Sequence, residues 1–355
     1  MDAPRFAYQP LPVRVVFGAG VLEDLPAEVD ALGLSRVLVL STPGRRADAG
    51  RVAALLGGRA AGVHAGAVTH VPAGVAAEAC RAAADAEADG LVSFGGGSAV
   101  GLAKAVARET GLPAVAVPTT YAGSEMTPVW GMTEDGVKRT GRDPRVLART
   151  VLYDPSLTLG LPPAVSAASG MNAMAHAVEA LYAPDGAPVV SLMAEEAVRA
   201  LAAALPEVVR DPGGLTARTE ALYGAWLCGT CLGAATMGLH HKLCHILGGS
   251  LNLPHAETHT VLLPHALAYN APAAPDAVRA LRRALGRDDP ARALWDLAGS
   301  LGSPRSLRDL GADPAHLDGV VARAVGGGFA NPRPVEEAGL RALLGDAWEG
   351  RPPAA

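Results

Sequence analysis

Six of the ten histidines in this chain lie within a single stretch of 26 residues. They are His240, His241, His245, His255, His259 and His265. Imidazole is the commonest transition-metal ligand and the usual proton-transfer group near neutral pH. Chance does not readily concentrate so many histidines in one segment, so the stretch predicts an enzyme and indicates where its chemistry takes place.

The spacing of these histidines predicts a shared site. His241 and His245 are four residues apart, which on a helix places them on one face. Asn172 and His176 have the same spacing on a second predicted helix. If the side chains of these two helices converge, they would form a metal site or a proton-transfer site.

The rest of the stretch adds candidates to this site. The helix that carries His241 is expected to end at Gly248–Gly249, and His255 follows that break. Lys242 lies between the two helical histidines, where it is positioned to contact an anion. The remaining histidines are open to a direct or a supporting role: His240, His259 and His265.

A second group of residues has the pattern of a nucleotide-binding site. The sequence GGGS at Gly95–Ser98 follows a predicted strand and opens a predicted helix, where backbone N–H groups can approach a phosphate. Polar residues at two further strand ends fit a dinucleotide in the same crevice. The predicted cofactor-contacting residues are Gly95, Gly96, Gly97, Ser98, Thr119, Thr120, Ser124, Thr42 and Lys138, and Tyr121 beside them is a candidate catalytic residue. Thr42 stands where an acidic residue would normally hold the adenosine ribose, so the choice between NADH and NADPH stays open.

Composition excludes several classes of protein. The net charge of −5, without a Lys/Arg-rich run, argues against a nucleic-acid partner. No uncharged apolar stretch of about 18 residues predicts a membrane span. The N-terminus has no apolar signal region, and four cysteines are too few for a disulfide scaffold, so we expect a cytoplasmic protein. Only three of the 30 basic residues are lysines, and each is expected where a compact charge matters: Lys104, Lys138 and Lys242.

The elements that position these residues change in kind along the chain. Strand and helix patterns alternate up to about residue 155, which predicts a parallel sheet covered on both faces. Helical patterns follow from Pro162–Pro163 to the C-terminus, and Cys228 and Cys231 are interpreted as small buried residues within them. The sequence therefore predicts a Rossmann-like α/β dinucleotide-binding domain over residues 1–158 and an all-helical catalytic domain over residues 159–355.

Several motifs together resemble the iron-containing alcohol dehydrogenase family. They are GGGS with Lys104 downstream, PTTYAGSE, NAMAHAVEA and the spacing H-x3-H-x9-H that begins at His241. The resemblance implies that His176, His241 and His255 match three metal-ligating histidines and that His245 matches a histidine near the reacting carbons. The sequence departs from the family pattern at two positions where the family usually has Asp: Asn172, at a ligand position, and Gly101, in the glycine motif.

Longer segments, such as HHKLCHILGG and NLPHAETHT, resemble the maleylacetate reductase branch of this family. The resemblance implies a homodimer that uses NADH or NADPH to reduce the conjugated carbon–carbon double bond of maleylacetate, a small dicarboxylate, to 3-oxoadipate in aromatic-compound degradation. Because an amide is a weaker ligand than a carboxylate and hydrogen-bond donors can stabilise an enolate, we hypothesise a reduction that does not require Fe or Zn. His241 or His245 would donate to the enolate or relay a proton. The candidates for binding the two carboxylates are Lys242, Arg139, Arg142 and Arg333.

Three other functions stay open on the sequence. A metal-dependent alcohol dehydrogenase acting on a small aldehyde or alcohol would share the fold and the cofactor, but it would need a metal. A lyase or cyclase related to dehydroquinate synthase would recycle its nicotinamide, so it would not consume NADH steadily. A non-catalytic nucleotide-binding protein would leave the histidine stretch unexplained.

Overall fold

The computed structural model describes residues 6–354, which form two compact units. One unit comprises Leu11–Leu161, and the other comprises the chain from Pro162 onward together with the described residues before Leu11. The first unit is an α/β structure and the second is helical, which confirms the predicted fold class.

The α/β unit contains a six-stranded parallel sheet, in the order β1-β8-β5-β4-β2-β3. Its strands are β1 (Arg14–Phe17), β2 (Val37–Leu40), β3 (Ala60–His64), β4 (Gly90–Gly95), β5 (Ala114–Pro118) and β8 (Thr150–Tyr153). The helices of this unit are α1 (Leu25–Ala31), α2 (Arg46–Leu56), α3 (Ala73–Asp85) and α4 (Gly97–Thr110).

Side chains of the sheet alternate between two apolar cores. Leu38 and Leu91 pack in one core with α3 and α4. Val39 and Val92, their neighbours along the strands, pack in the other core with α1 and α2. Strands buried on both faces read as continuous apolar runs, which explains why VLVL and LVSF were recognisable in the sequence.

An antiparallel hairpin interrupts the strand–helix alternation, and the sequence analysis did not predict it. It consists of β6 (Val129–Glu134) and β7 (Val137–Arg142). The two residues between the strands, Asp135 and Gly136, both have positive φ, at 50° and 74°. An Asp-Gly pair in this conformation is typical of the tight turn whose twist matches that of a hairpin.

The second unit contains only helices and turns within its described residues. Its helices are α5 (Pro163–Ala180), α6 (Pro188–Arg210), α7 (Leu215–Ala234), α8 (Leu239–Leu251), α9 (His255–Asn270), α10 (Pro275–Leu285), α11 (Pro290–Ser300), α12 (Leu317–Val325) and α13 (Glu337–Glu349). No single helix in residues 6–354 is long and apolar enough to cross a membrane; the bent pair of α7 and α8 meets the criteria only when the two are taken together.

The predicted helix break at Gly248–Gly249 is wrong. Helix α8 continues through both glycines to Leu251 and ends at Asn252, which adopts a left-handed conformation with φ of 51°. Two glycines in a helix cost about 1 kcal/mol each relative to alanine. Burial of Leu243 and Leu247 in the apolar core beneath the helix offsets this cost.

Candidate active site

The glycine loop after β4 lies directly beside the loop after β5. Gly95 is the partner of Pro118 in the sheet, and the N–H of Thr119 donates to the Gly95 carbonyl at 3.0 Å. A Cβ atom at Gly96 would lie 2.8 Å from the side chain of Thr120, so this close approach requires glycine. Helix α4 begins at Gly97, which leaves its first backbone N–H groups at these two loops.

The other predicted cofactor residues occupy different environments. Thr42 is half-buried at the end of β2, the neighbour of β4, so it belongs to the same carboxyl edge of the sheet. Ser124 follows β5 and begins a short 3-10 turn. Lys138 is exposed on the hairpin strand β7, and Tyr121 is completely buried. Contacts of these four residues with a cofactor or substrate stay predictions.

Lys104 stabilises the backbone of the loop after β5. Its Nζ atom lies 2.6 Å from the Ser124 carbonyl, 2.8 Å from the Thr127 carbonyl and 2.6 Å from the Val129 carbonyl. Burial lowers the pKa of this lysine to about 7, and the carboxylate of Glu125 opposes the shift. Lys104 is therefore buried beneath the loop, and it binds three carbonyls of the segment Ser124–Val129.

The histidine stretch folds into a compact cluster within the helical unit. The ring centroids of His240 and His259 are 4.8 Å apart, and those of His241 and His259 are 4.9 Å apart. His176 on α5 lies 5.1 Å from His241, and His255 lies 4.3 Å from His259. The structure thus brings together histidines from α5, α8 and α9, as the spacing predicted.

Burial keeps this cluster electrically neutral near neutral pH. It lowers the pKa of His176, His241 and His259 well below the ordinary value, and repulsion among neighbouring imidazoles lowers it further. The pKa of His240 is lowered to about 4 for the same reasons. Neutral imidazoles can donate and accept hydrogen bonds or bind a metal.

Glu179 is a functional candidate that the sequence analysis missed. This completely buried residue on α5 accepts hydrogen bonds from the backbone N–H groups of Gly238 at 3.1 Å, His240 at 2.8 Å and His241 at 3.3 Å. Its Oε2 atom also lies 2.5 Å from Nδ1 of His241. Burial raises the pKa of Glu179, and the backbone donors oppose that rise. Its position three residues after His176, on the same helix face, was the available signal.

The remaining candidates lie at or beyond the edge of the cluster. His245 is exposed on α8, with its ring centroid 6.3 Å from that of His241, and Lys242 is half-buried on the same helix. His265 is buried further along α9 and has no ring contact with the cluster among the described residues. Cys228 and Cys231 are fully buried in α7, consistent with their interpretation as core residues.

Comparison with known proteins decides the family. The model of the iron-containing alcohol dehydrogenase family matches residues 12–155, and the model of the C-terminal part of this family matches residues 166–348. The chain belongs to the iron-containing alcohol dehydrogenase family. The predicted resemblance is thereby confirmed.

Its similarity within the family is to maleylacetate reductases. The chain is 56% identical to the maleylacetate reductase of Burkholderia cepacia, over 95% of this chain and 96% of that one. It is 53% identical to that of Sphingobium indicum, over 98% and 99% of the two chains. The crystal structure of maleylacetate reductase from a Rhizobium species matches with a TM-score of 0.96 and 51% identity, covering 99% of this chain and all of that one.

The residues at the family's ligand positions fit a divalent ion in their donor atoms. Asn172 Oδ1, His176 Nδ1 and His241 Nε2 are buried and have no hydrogen-bond partner within the described residues. His240, His241 and His259 also present ring nitrogens within 4.8 Å of one another. All of these donors are neutral, so the set attracts a divalent ion less strongly than one that includes a carboxylate.

Proposed function

We propose that this protein is a maleylacetate reductase, which transfers a hydride from NADH or NADPH to the conjugated carbon–carbon double bond of maleylacetate and forms 3-oxoadipate. The observation that carries the proposal is the 56% identity to a maleylacetate reductase along nearly the whole chain. The buried, neutral histidine cluster and the paired glycine loops supply the two sets of groups that such a reaction requires.

The α/β unit supplies the cofactor site in this proposal. The adjoining loops Gly95–Ser98 and Thr119–Ser124, with the N-terminus of α4, bind the pyrophosphate through backbone N–H groups. Thr42, at the end of β2, contacts the adenosine ribose. Because it is uncharged, neither a ribose hydroxyl nor a 2′-phosphate is repelled, and both NADH and NADPH are accepted.

The helical unit supplies the groups that act on the substrate. Hydride adds to the carbon β to the ketone, the electrons of the double bond move to the ketone oxygen, and an enolate forms. A proton from solvent then reaches the α carbon, and the oxidised cofactor leaves. We assign His241 and His245 to hydrogen bonding with the enolate oxygen and to relay of that proton.

A metal is not required for this chemistry. If His176, His241, His255 and Asn172 hold a divalent ion, it supplies a Lewis acid near the enolate oxygen. The charge of an enolate is delocalised over oxygen and carbon, so hydrogen-bond donors alone can stabilise it.

The remaining parts of the proposal concern cellular context. We propose that the protein is a homodimer in the cytoplasm and that it reduces maleylacetate during bacterial degradation of aromatic compounds. The maleylacetate reductases to which the chain is similar come from bacteria, and the substrate and cofactor are small, soluble molecules.

The test is NADH consumption by the purified protein, followed by absorbance, with maleylacetate and separately with small aldehydes. We expect steady turnover of maleylacetate with at least about 100-fold higher kcat/KM than with any aldehyde, the selectivity that charged-group recognition provides. Turnover of aldehydes without turnover of maleylacetate would establish the metal-dependent alcohol dehydrogenase instead. His241→Asn and His245→Asn variants then test the two assigned roles.

A further inference from the structure

A surface of the helical unit carries unneutralised positive charge. It is formed by α8 and residues 326–335, and neither segment contains Asp or Glu, although the chain as a whole has a net charge of −5. Lys242 on α8 and Arg333 in the second segment form no ion pair with any carboxylate in the described part of the chain. Unpaired cations beside a buried catalytic cluster indicate an anionic ligand.

The loop that carries Arg333 is fixed to the beginning of α8. Asn331 and Asn270 exchange two amide hydrogen bonds, of 3.0 and 2.7 Å. The Oδ1 atom of Asn331 also accepts a hydrogen bond of 3.4 Å from the backbone N–H of Leu239, the first residue of α8. The surface is therefore preorganised next to His240 and His241.

The same loop makes room for the side chain of Lys242. A Cβ atom at Gly327 would lie 2.8 Å from Cε of Lys242, and Nζ lies 5.9 Å from the centre of the Phe329 ring. Phe329 also lines a cleft with a volume of about 210 Å³, together with Asn331 and Arg333. Lys242 does not line this cleft itself, and its position over the Phe329 ring places its charge next to the cleft.

Four basic residues are candidates for binding the substrate carboxylates, and their contacts favour Lys242. Arg139 pairs with Glu134 at 3.0 Å on the exposed hairpin, which also carries Arg142. The guanidinium of Arg333 donates to the Tyr269 carbonyl at 3.2 Å and stacks on the Tyr269 ring at 4.3 Å, so it holds the loop. Lys242 alone shares a helix with His241 and His245.

We propose that Lys242 binds a carboxylate of the substrate beside Phe329 and so determines the preference for a dicarboxylate. This inference rests on the proposed function. His245, which is assigned to the ketone oxygen with His241, lies three residues after Lys242 on α8, so the two side chains are neighbours on the helix. The carboxylate in question is therefore that of the acetate arm, which one methylene separates from the ketone. Lysine suits this role as a compact charge on a flexible stem.

The test compares maleylacetate with acetylacrylate, in which a methyl group replaces the acetate arm. In Lys242→Gln we expect the KM for maleylacetate to rise about 10- to 100-fold, the range for loss of a charge-assisted contact. The KM values for acetylacrylate and NADH stay within about twofold of wild type, which also shows that the variant is folded. Lys242→Arg retains most of the affinity for maleylacetate.

Two further variants make the result specific. Arg279→Gln removes one positive charge elsewhere on the helical unit, at an exposed residue of α10 that pairs with Asp276, and leaves both KM values unchanged. Gly327→Ala keeps the lysine but displaces its stem, and raises only the KM for maleylacetate. An unchanged KM for maleylacetate in Lys242→Gln, or an equal rise for both substrates, overturns this inference alone. A wild-type protein that does not reduce maleylacetate overturns the proposed function and this inference with it.

Discussion

Nδ1 of His241 lies 2.5 Å from Oε2 of Glu179, and the same carboxylate accepts the backbone N–H groups at the start of α8. One buried side chain thus fixes both the beginning of the helix and the orientation of the imidazole. Because Nδ1 is held by Glu179, Nε2 is the nitrogen left for substrate or metal. Loss of a partner that fixes the ring and tautomer of a functional histidine typically lowers metal affinity or activity about 10- to 100-fold.

Replacing Glu179 with Gln therefore reduces turnover. The amide would place an N–H donor against backbone N–H donors, and it would disturb the contact of Oε2 with Nδ1 that orients His241. We expect kcat to fall about 10- to 100-fold, while the KM for NADH changes less than about twofold, because the cofactor loops belong to the other unit. Steady-state kinetics in which maleylacetate and NADH are each varied measures kcat and the KM for NADH separately.

Glu220→Gln is the matched control for this prediction, since Glu220 forms an exposed ion pair with Arg199 and contacts no histidine within residues 6–354. It keeps wild-type kinetics. A Glu179→Gln variant with unchanged kcat would show that the carboxylate only caps the helix.

Lys104 allows a prediction about the cofactor site. Lys104→Met keeps the aliphatic stem but removes the donors to the Ser124, Thr127 and Val129 carbonyls. The Ser124 carbonyl keeps the N–H and the hydroxyl of Thr127 as donors. Each of the other carbonyls that is left buried without a donor costs about 1–3 kcal/mol, so we expect the loop after β5 to rearrange. The KM for NADH rises about tenfold or more, and the KM for maleylacetate is unaffected.

Direct titration of NADH binding by fluorescence separates this effect from a change in turnover. Arg81→Met serves as control, because Arg81 is exposed on α3 and is not among the predicted cofactor-contacting residues. If Lys104→Met binds NADH as tightly as the wild type does, the contacts of Lys104 with these carbonyls do not position the cofactor loop.

The local parts of the fold could be predicted from sequence because each depends on neighbours along the chain. The glycine loop at Gly95–Ser98 and the helix that carries Asn172 and His176 lie where the patterns placed them. The break at Gly248–Gly249 was wrong because helix propensity is weaker than the burial of leucines on the same helix. The hairpin was missed although Asp135–Gly136 carries a strong turn signal.

The long-range parts could not be predicted in the same way. The first strand, Arg14–Phe17, pairs with the last strand of the sheet, Thr150–Tyr153, and nothing in either sequence specifies that partner. The spacing placed Glu179 on the face of α5 that carries His176. Its contacts with α8 depend on how α5 and α8 pack, which no local pattern encodes.

Asn172 leads to a prediction about metals. We expect the wild-type enzyme to keep its activity after EDTA treatment and dialysis. Asn172→Asp places a carboxylate one helical turn before His176 on α5, and Nδ1 of His176 and Nε2 of His241 have no hydrogen-bond partner within the described residues. It should bind Zn²⁺ about tenfold more tightly or better, which corresponds to roughly 1.4 kcal/mol of added attraction.

Thermal unfolding with and without Zn²⁺ measures this gain without reference to activity. Without metal, Asn172→Asp unfolds at a lower temperature than wild type, because position 172 is buried and a carboxylate there loses its hydration. Zn²⁺ restores it, and a second change, His176→Asn, abolishes the restoration. Stoichiometric metal in the wild-type protein, with activity lost on its removal, would contradict the metal-independent reduction.

The buried histidines predict a loss of stability in acid. Burial lowers the pKa of His265 to about 4, against about 6.5 in an unfolded chain. Below about pH 6.5 His265 binds a proton in the unfolded state, whereas in the folded state it stays neutral until about pH 4. The stability associated with this group is therefore complete above about pH 6.5 and is lost progressively down to about pH 4. Between pH 7 and pH 5 the loss amounts to about 2 kcal/mol.

Urea unfolding at pH 7 and pH 5 tests the sign and the size of this change in the free energy of unfolding. His265→Leu removes the titrating group, so its free energy of unfolding should fall about 2 kcal/mol less than that of the wild type between pH 7 and pH 5. His316→Leu is the control for replacing a histidine with leucine, because that side chain is 61% exposed. A His265→Leu variant with the full wild-type loss would show that the acid sensitivity arises in the histidine cluster, where His240 has a similarly lowered pKa of about 4.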